Sequence, residues 1–205
     1  MCEDADSPRM SVAQLGKLAA HFWGSAWMRH LAQCEAGGLC LAPGRTLLRH
    51  GCVLDLRISP GHISARVSAD SLYEVSLRIA PFDSEQLDVL KSACCGKIDS
   101  LVSLLEGKVD SAVLHQLCDP EIGLLPAPSD WCMRCTCPDW CEPCPHAAAA
   151  IYAAGCLIDE DPSLLFTLRC VEPSELVPAP DTAAAVSDFD TAALSSTFCI
   201  DLDFE

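Results

Sequence analysis

Between residues 12 and 33 the apolar positions Leu15, Leu18, Ala19, Phe22, Trp23, Ala26, Trp27 and Leu31 recur every three to four residues, the spacing of one helical face. Gly24 allows this to be one helix or two. Aromatics at that spacing, here Phe22, Trp23 and Trp27, read as core. Gly37-Gly38 and Pro43-Gly44 mark turns. The period then changes to two: residues 52–58, 62–67 and 73–79 alternate apolar with polar. The breaks at Ser59-Pro60-Gly61 and Asp70-Ser71 make them three strands of an antiparallel meander with one wet face.

From Asp83 the helical period returns. Asp83 or Ser84 caps a helix carrying Leu87, Val89 and Leu90, a second carries Ile98 to Leu105, and a third spans 109–118. His115 in the third reads as a packed or surface residue and not as a ligand. Pro120, Pro126 and Pro128 form an extended connector into a strand at 131–134. After His146 an alanine-rich helix runs to Ala154, where Gly155 stops it, and Asp161 caps a last short helix through Leu168. The expected class is α+β: a small antiparallel β-meander with surrounding helices, a strand-turn-helix zinc finger and an acidic disordered tail. The expected division is a frayed start (1–10), an α+β body (11–128), the finger with its following helices (129–170) and the tail (171–205).

Half of the chain is apolar, enough for a core. No apolar run approaches the roughly 18 to 20 residues that cross a bilayer, and Glu3, Asp4 and Asp6 are unlike a signal-peptide start. A cytoplasmic protein with no membrane partner is expected. Net charge is −16, from 29 acids against 13 bases, a balance that disfavours phosphate backbones. Eight acids and no base fall between 171 and 205, so half of the excess belongs to the tail. Its end, residues 198–205, alternates apolar with acidic and can add a strand to a partner, although a solubilising tail is the simpler reading. In the meander Arg57, Arg66 and Arg78 are the candidate basic patch, with Asp55 and Glu74 placed to balance them.

The fifteen cysteines, without an export signal, read as reduced thiols, some on metal. Cys34, Cys40, Cys52, Cys94, Cys95, Cys118, Cys156, Cys170 and Cys199 are scattered among Leu, Val and Ala and read as small buried residues. Five others crowd into Cys132-Met-Arg-Cys135-Thr-Cys137-Pro-Asp-Trp-Cys141-Glu-Pro-Cys144-Pro-His146. Cys135-x-Cys137 and Cys144-x-His146 each put two ligands on one side of an extended segment, and a turn between prolines lets the pairs close a tetrahedron. Cys132, Cys135, Cys141 and Cys144 make a second reasonable set, for zinc or an iron–sulfur cluster, and a redox dithiol is a weaker reading. A closed four-ligand zinc is structural. Asp139 and Glu142 beside it read as supporting or solvated acids, and no phosphate loop, nucleophile elbow or open metal site is present, so no enzyme is expected.

The run Cys135-x-Cys137-Pro-Asp-Trp, Pro143-Cys144-x-His146, the alanine-rich helix and Asp161-Pro-Ser-Leu-Leu-Phe-Thr-Leu-Arg169 resemble the bacterial SWIM zinc-finger proteins. The likeness extends upstream through Phe22-Trp23, Trp27, Gly51 to Arg57 and Leu124-Leu-Pro-Ala-Pro128, and covers roughly residues 20 to 170. It implies Zn2+ on Cys135, Cys137, Cys144 and His146. It also implies a protein–protein or DNA-linked role, often beside a Swi/Snf-type helicase-like ATPase. Pro145 stands where many relatives carry a base between the last two ligands, and residues 147–154 hold no Lys or Arg. An adaptor with a protein partner is therefore expected over direct nucleic-acid binding. Chelation is expected to melt the C-terminal helix and to spare the meander.

Overall fold

A computed structural model of the chain describes residues 19–119 and 122–177. The frayed start and all of the acidic tail beyond residue 177, with Cys199, lie outside them. The class is α+β: the described residues form seven α-helices and a four-stranded antiparallel sheet in the order β1-β2-β3-β4. The meander forms as its alternation dictates: β1 (Val53–Ser59), β2 (His62–Ser68) and β3 (Leu72–Ile79), with Val53, Leu56, Ile58, Ile63, Ala65, Val67, Val75, Leu77 and Ile79 buried. The fourth strand, β4 (Trp131–Cys135), is the lead-in to the cysteine cluster, and it pairs with β3 from Ile79↔Trp131 to Val75↔Cys135. Its Trp131, Met133 and Cys135 continue the core face, and exposed Cys132 and Arg134 continue the open one.

Five helices precede β4: α1 (Phe22–Ala36), α2 (Ala42–Arg49), α3 (Ser84–Cys94), α4 (Leu101–Leu105) and α5 (Ser111–Leu117). Two follow it, α6 (Pro145–Glu160) and α7 (Ser163–Arg169). Asp83 caps α3 as the sequence implies, accepting from Gln86 N–H at 3.4 Å. Asp161 does not cap α7, whose N-cap is Pro162; it closes α6, and its carboxylate accepts from Ser163 N–H at 3.1 Å from one residue further out. Trp23 and Trp27 are core, and their indole N–H groups donate to Leu104 O and Ile151 O, both at 3.1 Å. Arg169, at the end of α7, is buried and donates to Ala80 O at 2.8 Å and to Asp130 at 3.1 Å, which ties α7 to the flanks of β3 and β4.

Three further expectations change. The turn at Pro43-Gly44 is the first turn of α2, because Pro at a helix start loses no hydrogen bond. Helix α6 does not stop at Gly155 but runs through it. A Cβ there would sit 2.3 Å from Trp27 Cδ1, so the glycine admits a tryptophan instead of ending the helix. The scattered cysteines divide: Cys34, Cys94 and Cys156 are buried, but Cys40, Cys95 and Cys170 are exposed, having no periodic apolar face around them.

Helix α6 is the centre of the fold. It touches all four strands on one side and α1, α2 and α7 elsewhere, so thirteen of its sixteen residues are buried. Alanine suits that position, since it keeps high helix propensity and lets neighbouring backbones approach closely. Gly44 of α2 shows how closely, because an added Cβ would lie 2.4 Å from the backbone between Ala148 and Ala149. Among the described residues no helix is long and apolar enough to cross a membrane.

Candidate metal centre

The candidate site forms where β4 ends and α6 begins. Cys135 closes β4 on its core face, opposite Val75. The strand continues in part: Thr136 N–H donates to Glu74 O at 3.1 Å, and Glu74 N–H donates to the Thr136 hydroxyl at 3.0 Å. Two residues beyond Cys135, Cys137 returns to the same side. The loop through residues 138–143 then turns back, with Cys141 N–H donating to Asp139 at 3.2 Å. Cys144 is the N-cap of α6. Its extended backbone (φ −70°, ψ 163°) hands over to Pro145 in the first turn, and its sulfur accepts from Ala147 N–H at 3.4 Å. His146 lies in that first turn, its Nδ1 4.0 Å from Cys144 Sγ, its ring 4.3 Å from the ring of Tyr73.

The ligand atoms of Cys135, Cys137, Cys144 and His146 all lie within 4.8 Å of one another. A zinc–sulfur tetrahedron with bonds of about 2.3 Å has edges of about 3.8 Å. Small side-chain rotations therefore suffice to close the cluster on one ion, and its donor set of three thiols and an imidazole fits a soft to borderline metal. Cys144 is buried, and Cys135 and Cys137 are half-buried. Burial pushes the Cys135 thiol up to about 12 and also raises Cys144, so metal uptake must displace protons and strengthens as pH rises.

The alternative ligand set fails on strand geometry. Cys132 is three residues from Cys135, an odd number, so it lies exposed on the open face of the sheet opposite Arg78. Cys141 is exposed on the loop and falls outside the cluster. Strand alternation carried through to residue 135 would have separated the two sets from sequence.

This chain is 25% identical over 195 residues to the uncharacterized protein Rv2102 of Mycobacterium tuberculosis. The match covers 91% of this chain and 70% of the relative's length. No family model matches the chain, and no solved structure does.

The candidate basic patch is also placed. Arg57, Arg66 and Arg78 share the open face of the sheet, and Arg66 lies 3.4 Å from Asp55. A fourth arginine, Arg134 of β4, joins them opposite Ser76 and was missed in the sequence. Its signal was the same alternation that places Cys132. His115 is exposed on α5, away from the cluster.

Proposed function

We propose that the chain is a zinc-binding, non-enzymatic interaction protein of the SWIM zinc-finger type, a cytoplasmic adaptor that docks onto a DNA-linked machine such as a Swi/Snf-type helicase-like ATPase. The carrying observation is the convergence of Cys135, Cys137, Cys144 and His146 to within 4.8 Å. Three thiolates and an imidazole are a preferred structural set for zinc, and four protein ligands complete its tetrahedron. A substrate or activated water then has no coordination position, so the ion shapes a loop and performs no chemistry. That loop holds Trp140 out in water, 97% exposed, between Asp139 and Glu142. A tryptophan on a braced loop supports a binding hot spot, and the flanking acids suit a basic partner surface. The net charge of −16 favours a protein partner over a phosphate backbone.

Elemental analysis of the purified chain tests the metal. One zinc per chain is expected, lost in Cys137→Ser, and a metal-free or iron-loaded protein refutes the assignment. Affinity purification from the native cell at modest salt, with nuclease added, tests the partner. A helicase-like ATPase is expected in stoichiometric amount and lost with Trp140→Ala. The second reading, direct nucleic-acid contact, is favoured by Arg57, Arg66, Arg78 and Arg134 sharing one open face. It requires duplex binding at low salt that weakens steeply as salt rises, and no binding at low salt removes it.

A further inference from the structure

The open face of the sheet carries charge that the metal cluster does not use. The strand register sets Arg57, Ser64, Ser76 and Arg134 in one row across the four strands, and Ser59, His62, Arg78 and Cys132 in the next. Both carboxylates of the face, Asp55 and Glu74, sit in a third row on either side of Arg66. Two adjacent rows therefore hold three arginines, serines and a histidine with no acid. The row of Arg57, Ser64, Ser76 and Arg134, together with Arg66, Asp55 and Glu74 of the third row, lines a shallow groove of about 650 Å³, and Arg78 lies beside it. Four of the thirteen bases of a strongly acidic chain are gathered on this one surface.

A matching anion lies in the same chain. Residues 178–205 hold Asp181, Asp188, Asp190, Asp201, Asp203 and Glu205 and no base. In the run Phe198-Cys-Ile-Asp-Leu-Asp-Phe-Glu205 the period is two, so an extended backbone sets Asp201, Asp203 and Glu205 on one side. From Asp201 to Glu205 such a segment spans about 13 Å. Arg57 and Arg134, three strand spacings apart, are separated by about 14 Å. The chain also arrives at the right place. Gly61 N–H donates to Leu168 O at 3.2 Å and Phe82 N–H donates to Arg169 O at 2.8 Å, so α7 ends beside the edge of the sheet that holds His62 and Arg78. The 28 residues after Val177 reach as far as about 90 Å, several times the length of a strand. A tether of this kind gives an effective concentration of about 1 mM, at which a contact with a Kd of about 0.1 mM is about 90% closed.

We propose that the acidic segment 198–205 docks in cis across the open face of the sheet, its Asp201, Asp203 and Glu205 against Arg57, Arg78 and Arg134, and screens that face from other anions. The occupancy depends on charge and not on the metal.

Carbodiimide, which joins carboxylates to amines, tests this on the full-length chain. Arg57→Lys and Arg134→Lys place amines on the face and keep its charge. Peptide mapping is expected to link the new amines to Asp201, Asp203 or Glu205 at monomer mass, about tenfold above links to Lys91, Lys97 and Lys108, and to lose them in about 0.5 M salt. Links spread evenly over the native lysines, or found only at dimer mass, overturn the proposal. An independent measurement leaves the face intact. The variant Asp201→Asn, Asp203→Asn, Glu205→Gln is expected to bind inorganic polyphosphate about tenfold more tightly than the unaltered chain, and equal affinity overturns the proposal.

Discussion

Removing the proposed metal separates a metal-binding segment that folds by itself from one that shares the core. A self-contained finger would lose α6 on chelation, roughly a quarter of the described α-helical residues, while the meander persists. The tertiary packing argues otherwise. Ile151, Leu157 and Ile158 of α6 are at most 3% exposed. Each contributes about 1.5–3 kcal/mol by burial, together about 5–9 kcal/mol, comparable to the roughly 10 kcal/mol of a structural zinc. Strand β4 is likewise held by its pairing with β3. Chelation is therefore expected to leave the 222 nm ellipticity within about a tenth of its starting value and the transition single. A loss of about 5 kcal/mol would lower Tm by about 10–20 °C at this size. Hydrogen exchange should rise at residues 136–143 and stay slow in α6 and β2. Loss of a quarter of the helical signal with β2 still protected would refute the shared-core reasoning.

Gly44→Ala tests the α2–α6 contact. Helix propensity favours alanine by about 1 kcal/mol, but a Cβ 2.4 Å from the α6 backbone costs about 1–3 kcal/mol or more, so the urea midpoint should fall, and a rise refutes the close approach. Asp159→Ala should cost about 2 kcal/mol, because Asp159 accepts from the N–H groups of Ala20 and His21 at 2.6 and 2.7 Å where the chain leads into α1. An unchanged midpoint would remove that role. Burial holds the Cys156 thiol at about 12, against an ordinary 9.0. Above pH 9 the unfolded chain ionises it first, so stability is complete below pH 9 and falls by about 1.4 kcal/mol per unit as pH rises towards 12. Denaturant titrations from pH 8 to 11 should show a shallower fall in Cys156→Ala, and an identical slope refutes the assignment.

The sequence by itself determined what depends on neighbours along the chain. Period two in 52–79 specified three strands and their turns, because side chains alternate across a pleated sheet. Asp83 marked a helix start through its own hydrogen bond to Gln86 N–H. The pairs Cys135-x-Cys137 and Cys144-x-His146 indicated a metal cluster, since residues two apart face the same way, while the set using Cys132 and Cys141 stayed open until β4 was seen paired with β3. Only the tertiary structure decided what depends on residues far away in sequence. Gly155 reads as a helix stop until Trp27 is seen against it, and Pro43-Gly44 reads as a turn until α6 is seen against Gly44. The alanine run of α6 is locally a helix of unspecified place. It becomes the core because the sheet lies on one side and α1 and α2 on others. The pairing of β4 with β3 turned a finger appended to a meander into one sheet, and it brought Arg134 beside Arg57, Arg66 and Arg78. Local patterns record each residue's own geometry, whereas long-range packing is fixed by the shape of surfaces that meet only after the chain has folded.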